Sequence, residues 1–326
     1  MFKRPRTDFW QVGIVPAAIE EIDASTLPTL RSRVVWLPDA GRWRYLADPF
    51  GLIRGDALHV FVEAFDYRQK RAVIERHELD AQSLRWRGKH TVLDLPFHLS
   101  YPFVFEHEGE VYMLPESHQA GEAALYKADA TLTHFERQQA LLEGLPIADA
   151  SLIEFEGRWW MFYTLVGPQG RDQRELHIAH APHLTGPWQP LADNPVRVDR
   201  SGARPAGRPF LDHQGSVLLP VQDCSAGYGS ATRLLRMTAL TPEKVEIEAL
   251  DWRLTGDLVS SEFDAGLHTF SACGPYTLID VKRIDRSRTK QWLDLKRRAR
   301  RLFKPLQAMA SSGQRGLTPK LPELEG

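Results

Sequence analysis

Apolar residues in this chain fall in short, strand-sized runs that come in pairs, with a glycine-containing turn between the members of each pair. Residues 101–117, YPFVFEHEGEVYMLPES, are one such pair. FVF and VYML flank a turn at Gly109, the pattern of a tight β-hairpin. Four further segments repeat it: ADPFGLIRGDALHVFVEAF from Ala47, DASLIEFEGRWWMFYT from Asp149, GRPFLDHQGSVLLPVQD from Gly207 and HTFSACGPYTLIDVKR from His268. Their turns carry Gly55, Gly157, Gly215 and Gly274. The copies start roughly 50 to 60 residues apart, the period of propeller blades.

Between copies lie weaker, alternating runs rich in Arg, Lys and Glu, such as RAVIERHELD with RWRGKHTVL and TRLLRMTALT with KVEIEAL. Nearly continuous apolar runs suit inner strands packed on both faces, and alternating runs suit the outside of a blade. Four strands per repeat, five repeats and no helical period before the C-terminus predict an all-β, five-bladed β-propeller over 35–288. Two β-sandwiches are the competing architecture, and they leave the regular recurrence unexplained. Trp86, Trp159, Trp160 and Trp188 are expected to pack between blades. Residues 1–34 form an N-terminal extension whose segment DFWQVGIVPAAIEEI could supply a closing strand for the last blade.

In a propeller the first strand of each blade lines the central channel and the second returns beside it. Starts of first strands and ends of second strands therefore meet at one mouth. The starts contribute Asp48, Tyr101, Asp149, Arg208 and His268; the ends contribute Glu63, Glu116, Tyr163, Asp223 and Asp280, with Lys282 and Arg283 just beyond. Charges are seldom buried without partners. Crowded carboxylates push one another's pKa values apart, so one can serve as acid and another as base. Glycosyl transfer uses such a pair at the anomeric carbon. Asp48, Asp149, Glu116 and Glu63 are the candidate catalytic groups. Arg208, His268, Asp223, Tyr101, Tyr163, Asp280 and Lys282 are candidates for holding substrate. An arginine in that mouth favours a phosphorylated or carboxylated sugar; the alternative is that Arg208 only neutralises Asp48 and Glu116. The segment CSAGYGS after Asp223 suits a loop over the mouth.

Composition adds exclusions. A net charge of −1 gives no nucleic-acid footprint across the whole surface. No apolar run approaches a membrane span, and the first residues do not read as a signal peptide. The two cysteines, Cys224 and Cys273, lack metal or redox spacing and read as free thiols of a cytoplasmic protein. A cation bound in the channel stays open, but no ligand cluster demands one, and no cofactor is called for.

ADPF at blade one, DAS at blade three and HAPHLTGPWQPL in the outer strands of blade three resemble the five-bladed propeller glycosidases of the arabinanase, xylosidase and fructosidase type. With YPFVFEHEGEVYMLPES and GRPF included, the set is similar to the N-terminal domain of glucosamine inositolphosphorylceramide transferase and its bacterial relatives. The glycosidase resemblance implies a base or nucleophile at Asp48 and a pKa-tuning, orienting carboxylate at Asp149. The general acid of those enzymes is a Glu opening blade four, where this chain has Ala206 and Arg208. Glu116, and after it Glu63, are the candidate replacements. A phosphate leaving group would need little protonation.

The expected function is a carbohydrate-active enzyme that cleaves or transfers a glycosyl unit in surface glycan or glycolipid metabolism. A non-catalytic glycan-binding propeller and a protein-interaction scaffold are the alternatives. From Thr289 the pattern turns helical and basic, TKQWLDLKRRARRLFKPLQAMA, ahead of a tail with disordered composition. This segment, 289–326, reads either as a peripheral contact with the inner face of an anionic membrane or as a helix closing the propeller.

Overall fold

The computed structural model describes residues 6–297; Leu302 and Phe303 of the basic segment lie outside the described residues. The fold is a five-bladed β-propeller over 8–284, and residues 289–297 form a helix in a separate terminal unit. Blade 1 runs from the channel outward as Arg44–Arg54, Ala57–Asp66, Arg71–Asp80 and Trp86–Leu93. Blade 2 follows as Ser100–His107, Glu110–Glu116, Glu122–Ala128 and Phe135–Glu143. Blade 3 has Ile147–Phe155, Arg158–Leu165 and Glu175–Ala181, edged by the short strands Gln189–Pro190 and Arg197–Val198.

In blade 4 the inner strand is broken into Arg204–Pro205 and Phe210–Leu211, followed by Val217–Asp223, Ala231–Leu240 and Val245–Leu254. Blade 5 is built from both ends of the propeller sequence. Gly266–Cys273 and Tyr276–Asp285 are its inner strands, and Thr7–Val15 and Val35–Trp36 complete it. This pairing closes the ring by hydrogen bonds, so neither end of the sheet series is left as a bare edge.

The hairpin glycines Gly55, Gly109, Gly157, Gly215 and Gly274 all have positive φ, which the tight turns require. Apolar side chains of neighbouring blades interlock between the sheets. Trp159 of blade 3, for example, packs on Phe105 and His107 of blade 2 at 5.9 and 5.1 Å between ring centroids. Trp160 and Trp188 are also buried, whereas Trp86 is 43% exposed on an outer strand and does not join the inter-blade packing.

One local device recurs at the channel. In blades 1, 2, 3 and 5 the inner strand carries one extra residue relative to its partner: between Ala47 and Phe50, Ser100 and Phe103, Ala148 and Ser151, and Leu267 and Phe270. A bulge re-aims the side chain that it displaces. The first bulge residues are Asp48, Tyr101, Asp149 and His268. The first three have φ of 52°, 44° and 50°, a left-handed conformation that costs an L-residue about 1–2 kcal/mol.

Blade 4 departs further, with two extra residues between Pro205, opposite Val221, and Phe210, opposite Leu218. Gly207 lies in that break at φ 151°, where a Cβ would stand 2.0 Å from the carbonyl oxygen of Phe270. Gly207→Ala is therefore expected to destabilise the fold by roughly 2–4 kcal/mol, measured by urea unfolding. Gly88→Ala, which meets open space, is the control and should shift stability by less than about 0.5 kcal/mol.

Candidate functional site

Four carboxylates gather at the mouth: Asp48 and Glu63 from blade 1, Glu116 from blade 2 and Asp149 from blade 3. Each is between 2% and 8% exposed, and all lie close enough to bear on one another's ionisation. Arg204, at the start of the broken strand of blade 4, is the cation that Asp149 and Glu116 share. Its Nε donates to Asp149 Oδ2 at 2.6 Å and its Nη2 to Asp149 Oδ1 at 3.2 Å. Nη2 also lies 3.6 Å from Glu116 Oε2, and Nη1 reaches Asp172 at 2.9 Å. Such a bidentate fork is specific to arginine. Gln222 donates a further bond to Asp149 at 3.1 Å.

The four groups titrate differently. Burial pushes Asp48 up from 3.8 to about 6, against the pull of His268. Burial, with Asp48 and Glu116 nearby, holds Glu63 well above the carboxylate range; its Oε1 accepts from the Tyr45 hydroxyl at 3.3 Å. Burial raises Glu116 as well, but the His118 hydrogen bond at 2.7 Å and the Arg204 charge outweigh it and bring it to about 2. Asp149 is held high by burial and by Glu116 and Asp48 despite Arg204.

His268 and Asp280 of blade 5 support Asp48. Asp280 Oδ1 accepts from the backbone N–H groups of His268 and Thr269 (3.1 and 2.9 Å) and from His268 Nδ1 (2.8 Å). Its Oδ2 accepts from the Asp48 N–H at 2.9 Å and the Thr269 hydroxyl at 3.0 Å. With Nδ1 committed to Asp280, His268 presents Nε2 to Asp48 Oδ1 at 3.6 Å. The Tyr101 N–H holds the other Asp48 oxygen at 3.1 Å.

Donor atoms of Asp48, His268 and Asp280 lie within 4.8 Å of one another, a grouping of metal-ligand types that the sequence spacing did not reveal. Asp280 hydrogen-bonds His268 and the Asp48 N–H, and His268 Nε2 faces the Asp48 carboxylate at ion-pair distance. The His268 ring stacks on Trp10 of the closing strand at 3.6 Å between centroids. Tyr228, from the CSAGYGS loop, packs edge-on against His268 and lies 5.2 Å from the Arg204 guanidinium. Lys282 places Nζ over the Trp10 ring at 4.9 Å and donates to the Tyr228 carbonyl, so it anchors the wall of the mouth.

Four positions expected at the mouth lie elsewhere or do another job. Arg208 turns inward; it donates to the Val104 carbonyl and lies over the Phe103 ring at 5.1 Å. The two extra residues of blade 4 displace it from the mouth and put Arg204 there. Asp223 is spent on Arg233 and Arg253, each at 3.2 Å, and on Ser225. Tyr163 stacks on its cross-strand neighbour His177, and Thr164 holds the register position that Glu63 and Glu116 hold in their blades. Tyr101 spans the channel beneath the mouth. Its hydroxyl bonds Ser151 at 2.8 Å and accepts from the Gly207 N–H at 2.7 Å.

Residues 38–258 match the family described as glucosamine inositolphosphorylceramide transferase 1, N-terminal. The chain belongs to this family. Glucosamine inositolphosphorylceramide transferase 1 of Oryza sativa subsp. indica is 36% identical over 203 residues, covering 61% of this chain and 27% of the relative. The protein of the same name from Arabidopsis thaliana is 29% identical over 243 residues, covering 67% and 31%. The chain thus spans less than a third of the length of these relatives. The family match includes Asp48, Glu63, Glu116, Asp149 and Arg204, and stops short of Trp10, His268 and Asp280. Among solved structures, the α-L-arabinofuranosidase of Podospora anserina in complex with cellotriose shares the fold. It has a TM-score of 0.57 at 10% identity, covering 76% of this chain and 93% of that one.

Two outcomes follow for stability. Arg204→Met strips the partner from buried carboxylates and is expected to cost roughly 3–5 kcal/mol in chemical unfolding at pH 7. Asp48 has the opposite sign. Its folded pKa of about 6 lies above 3.8, so the folded state binds more protons over that interval and stability falls as pH rises through it. Asp48→Asn should raise stability at pH 7 by up to about 3 kcal/mol and flatten the profile between pH 4 and 6. Glu116, lowered from 4.5 to about 2, contributes stability that is lost as pH falls through that range in both proteins.

Proposed function

We propose that the channel mouth binds a sugar and cleaves or transfers its glycosidic bond. The observation that carries this reading is the division of one carboxylate cluster into groups held high and a group held low, which supplies proton donors and acceptors at neutral pH. Asp48 acts as base or nucleophile, oriented by the Tyr101 N–H and by the His268–Asp280 chain. Glu63 is the better-placed proton donor: burial keeps its proton on, whereas His118 and Arg204 hold Glu116 ionised. Asp149, clasped by Arg204, orients the site. In transfer, Asp48 takes the proton of the acceptor hydroxyl as its oxygen bonds the anomeric carbon. The leaving oxygen departs with a proton from Glu63, or as phosphate without one. The names of the relatives favour a substrate that contains glucosamine or an inositol phosphate headgroup, in glycan or glycolipid metabolism. The deep burial of the carboxylates supports a second reading, glycan binding without turnover.

The test is a panel of glycosylated and phosphorylated sugar donors, with inositol phosphate acceptors, read by mass spectrometry. Turnover should rise with pH through an apparent pKa of about 6. It should fall by roughly 10²- to 10⁴-fold in Asp48→Asn. Equal turnover in that variant removes Asp48 from the reaction; saturable sugar binding with no product selects the second reading.

A further inference from the structure

We propose that the terminal helix docks this protein on an anionic lipid surface, independently of the chemistry at the mouth. Residues 289–297 are helical, and Trp292 and Leu295, three residues apart and therefore on one side, are 68% and 55% exposed. Trp292 is the most exposed large apolar side chain among the described residues. An indole beside leucine suits the headgroup boundary, where an apolar body and a polar N–H are both satisfied.

Lys296 flanks this stripe, and Arg297 pairs with Asp294, the sole acid between 289 and 304. That stretch of sequence holds seven Lys and Arg, with Ala299, Leu302 and Phe303 continuing the apolar positions at helical period. The whole chain has a net charge of −1, so the remainder is distinctly negative. An anionic surface would attract this segment and not the remainder. Two copies of so basic a segment would repel one another, and a nucleic-acid contact would leave the Trp292–Leu295 side without a partner. No helix among the described residues is long and apolar enough to cross a membrane, so the contact is peripheral.

The experiment is co-sedimentation of the full chain with phosphatidylcholine vesicles, with and without about one-third phosphatidylglycerol, at about 1 mM lipid. Each basic residue near such a surface strengthens partitioning about fivefold, so binding to anionic vesicles is expected to exceed binding to neutral ones at least about tenfold. It should fall steeply in about 0.5 M NaCl, where screening is short-ranged. Trp292→Ala/Leu295→Ala should weaken it about fivefold or more, with the thermal unfolding of the propeller unchanged, and Lys296→Glu/Arg300→Glu should remove the anionic preference. Absence of binding, equal binding to both vesicles or undiminished binding of the Trp292/Leu295 variant overturns the proposal. So does a lipid-free change from dimer to monomer in that variant, which would assign the stripe to a second copy.

Discussion

Four carboxylates can share a mouth this dry because one guanidinium is fixed among them. Arg204 makes a two-pronged contact with Asp149, reaches Glu116 and Asp172, and packs against the Tyr228 ring. An uncompensated buried charge costs several kcal/mol, so the cluster depends on that contact being made. A lysine could offer the charge but not the planar fork. Proximity to this cation does not set the ionisation alone, because Asp149, which it grips, is still held high by burial and by its carboxylate neighbours. Glu116, which also has His118, stays ionised, while Asp48 and Glu63, which Arg204 does not touch, are left to burial and mutual repulsion.

The ring and its blades were legible in the sequence because hairpin alternation and turn glycines repeat at a fixed spacing. The gathering of Asp48, Glu63, Glu116 and Asp149 was legible for the same reason: equivalent places in a repeat meet in space. The bulges were not legible. One extra residue leaves the apolar pattern intact on either side while turning a side chain toward the mouth. In blade 4 the sequence RPAGRP offers two Arg-Pro pairs, and alignment on Phe210 selects the second. The two extra residues put the first one against Asp149 and Glu116, so Arg204 was missed and Arg208 misplaced. A one-residue ambiguity at the ends of second strands likewise hid Thr164 behind Tyr163, because side chains alternate faces at every step. Trp10 could not be tied to His268 from spacing, since they stand at opposite ends of the propeller sequence.

The bulge position shows how a symmetric frame acquires asymmetric chemistry. It places a carboxylate in blades 1 and 3, an imidazole in blade 5 and a strut in blade 2. Tyr101 reaches from blade 2 to Ser151 of blade 3 and to the Gly207 backbone of blade 4, and the missing side chain of Gly207 leaves room for the Phe270 carbonyl of blade 5. The apolar frame need change little while single side chains diverge, which is why the repeats remain recognisable although their ends do not match.

The closing strand carries a consequence for biosynthesis. Thr277 donates its hydroxyl bond to the carbonyl of Ala17 across a separation of 260 residues. The strand Thr7–Val15 therefore waits for the strand Tyr276–Asp285 that it pairs with, and contacts of such long sequence separation form slowly. Trp10 rides on that waiting strand and His268 on the late-emerging blade. A nascent chain lacking blade 5 could bring together the carboxylates of blades 1 to 3 but not the chain that orients Asp48. The hydrogen-bonded setting of Asp48 is thus complete only once translation has run through the propeller, and a premature stop would leave Asp48 without its blade 5 partners and the ring open.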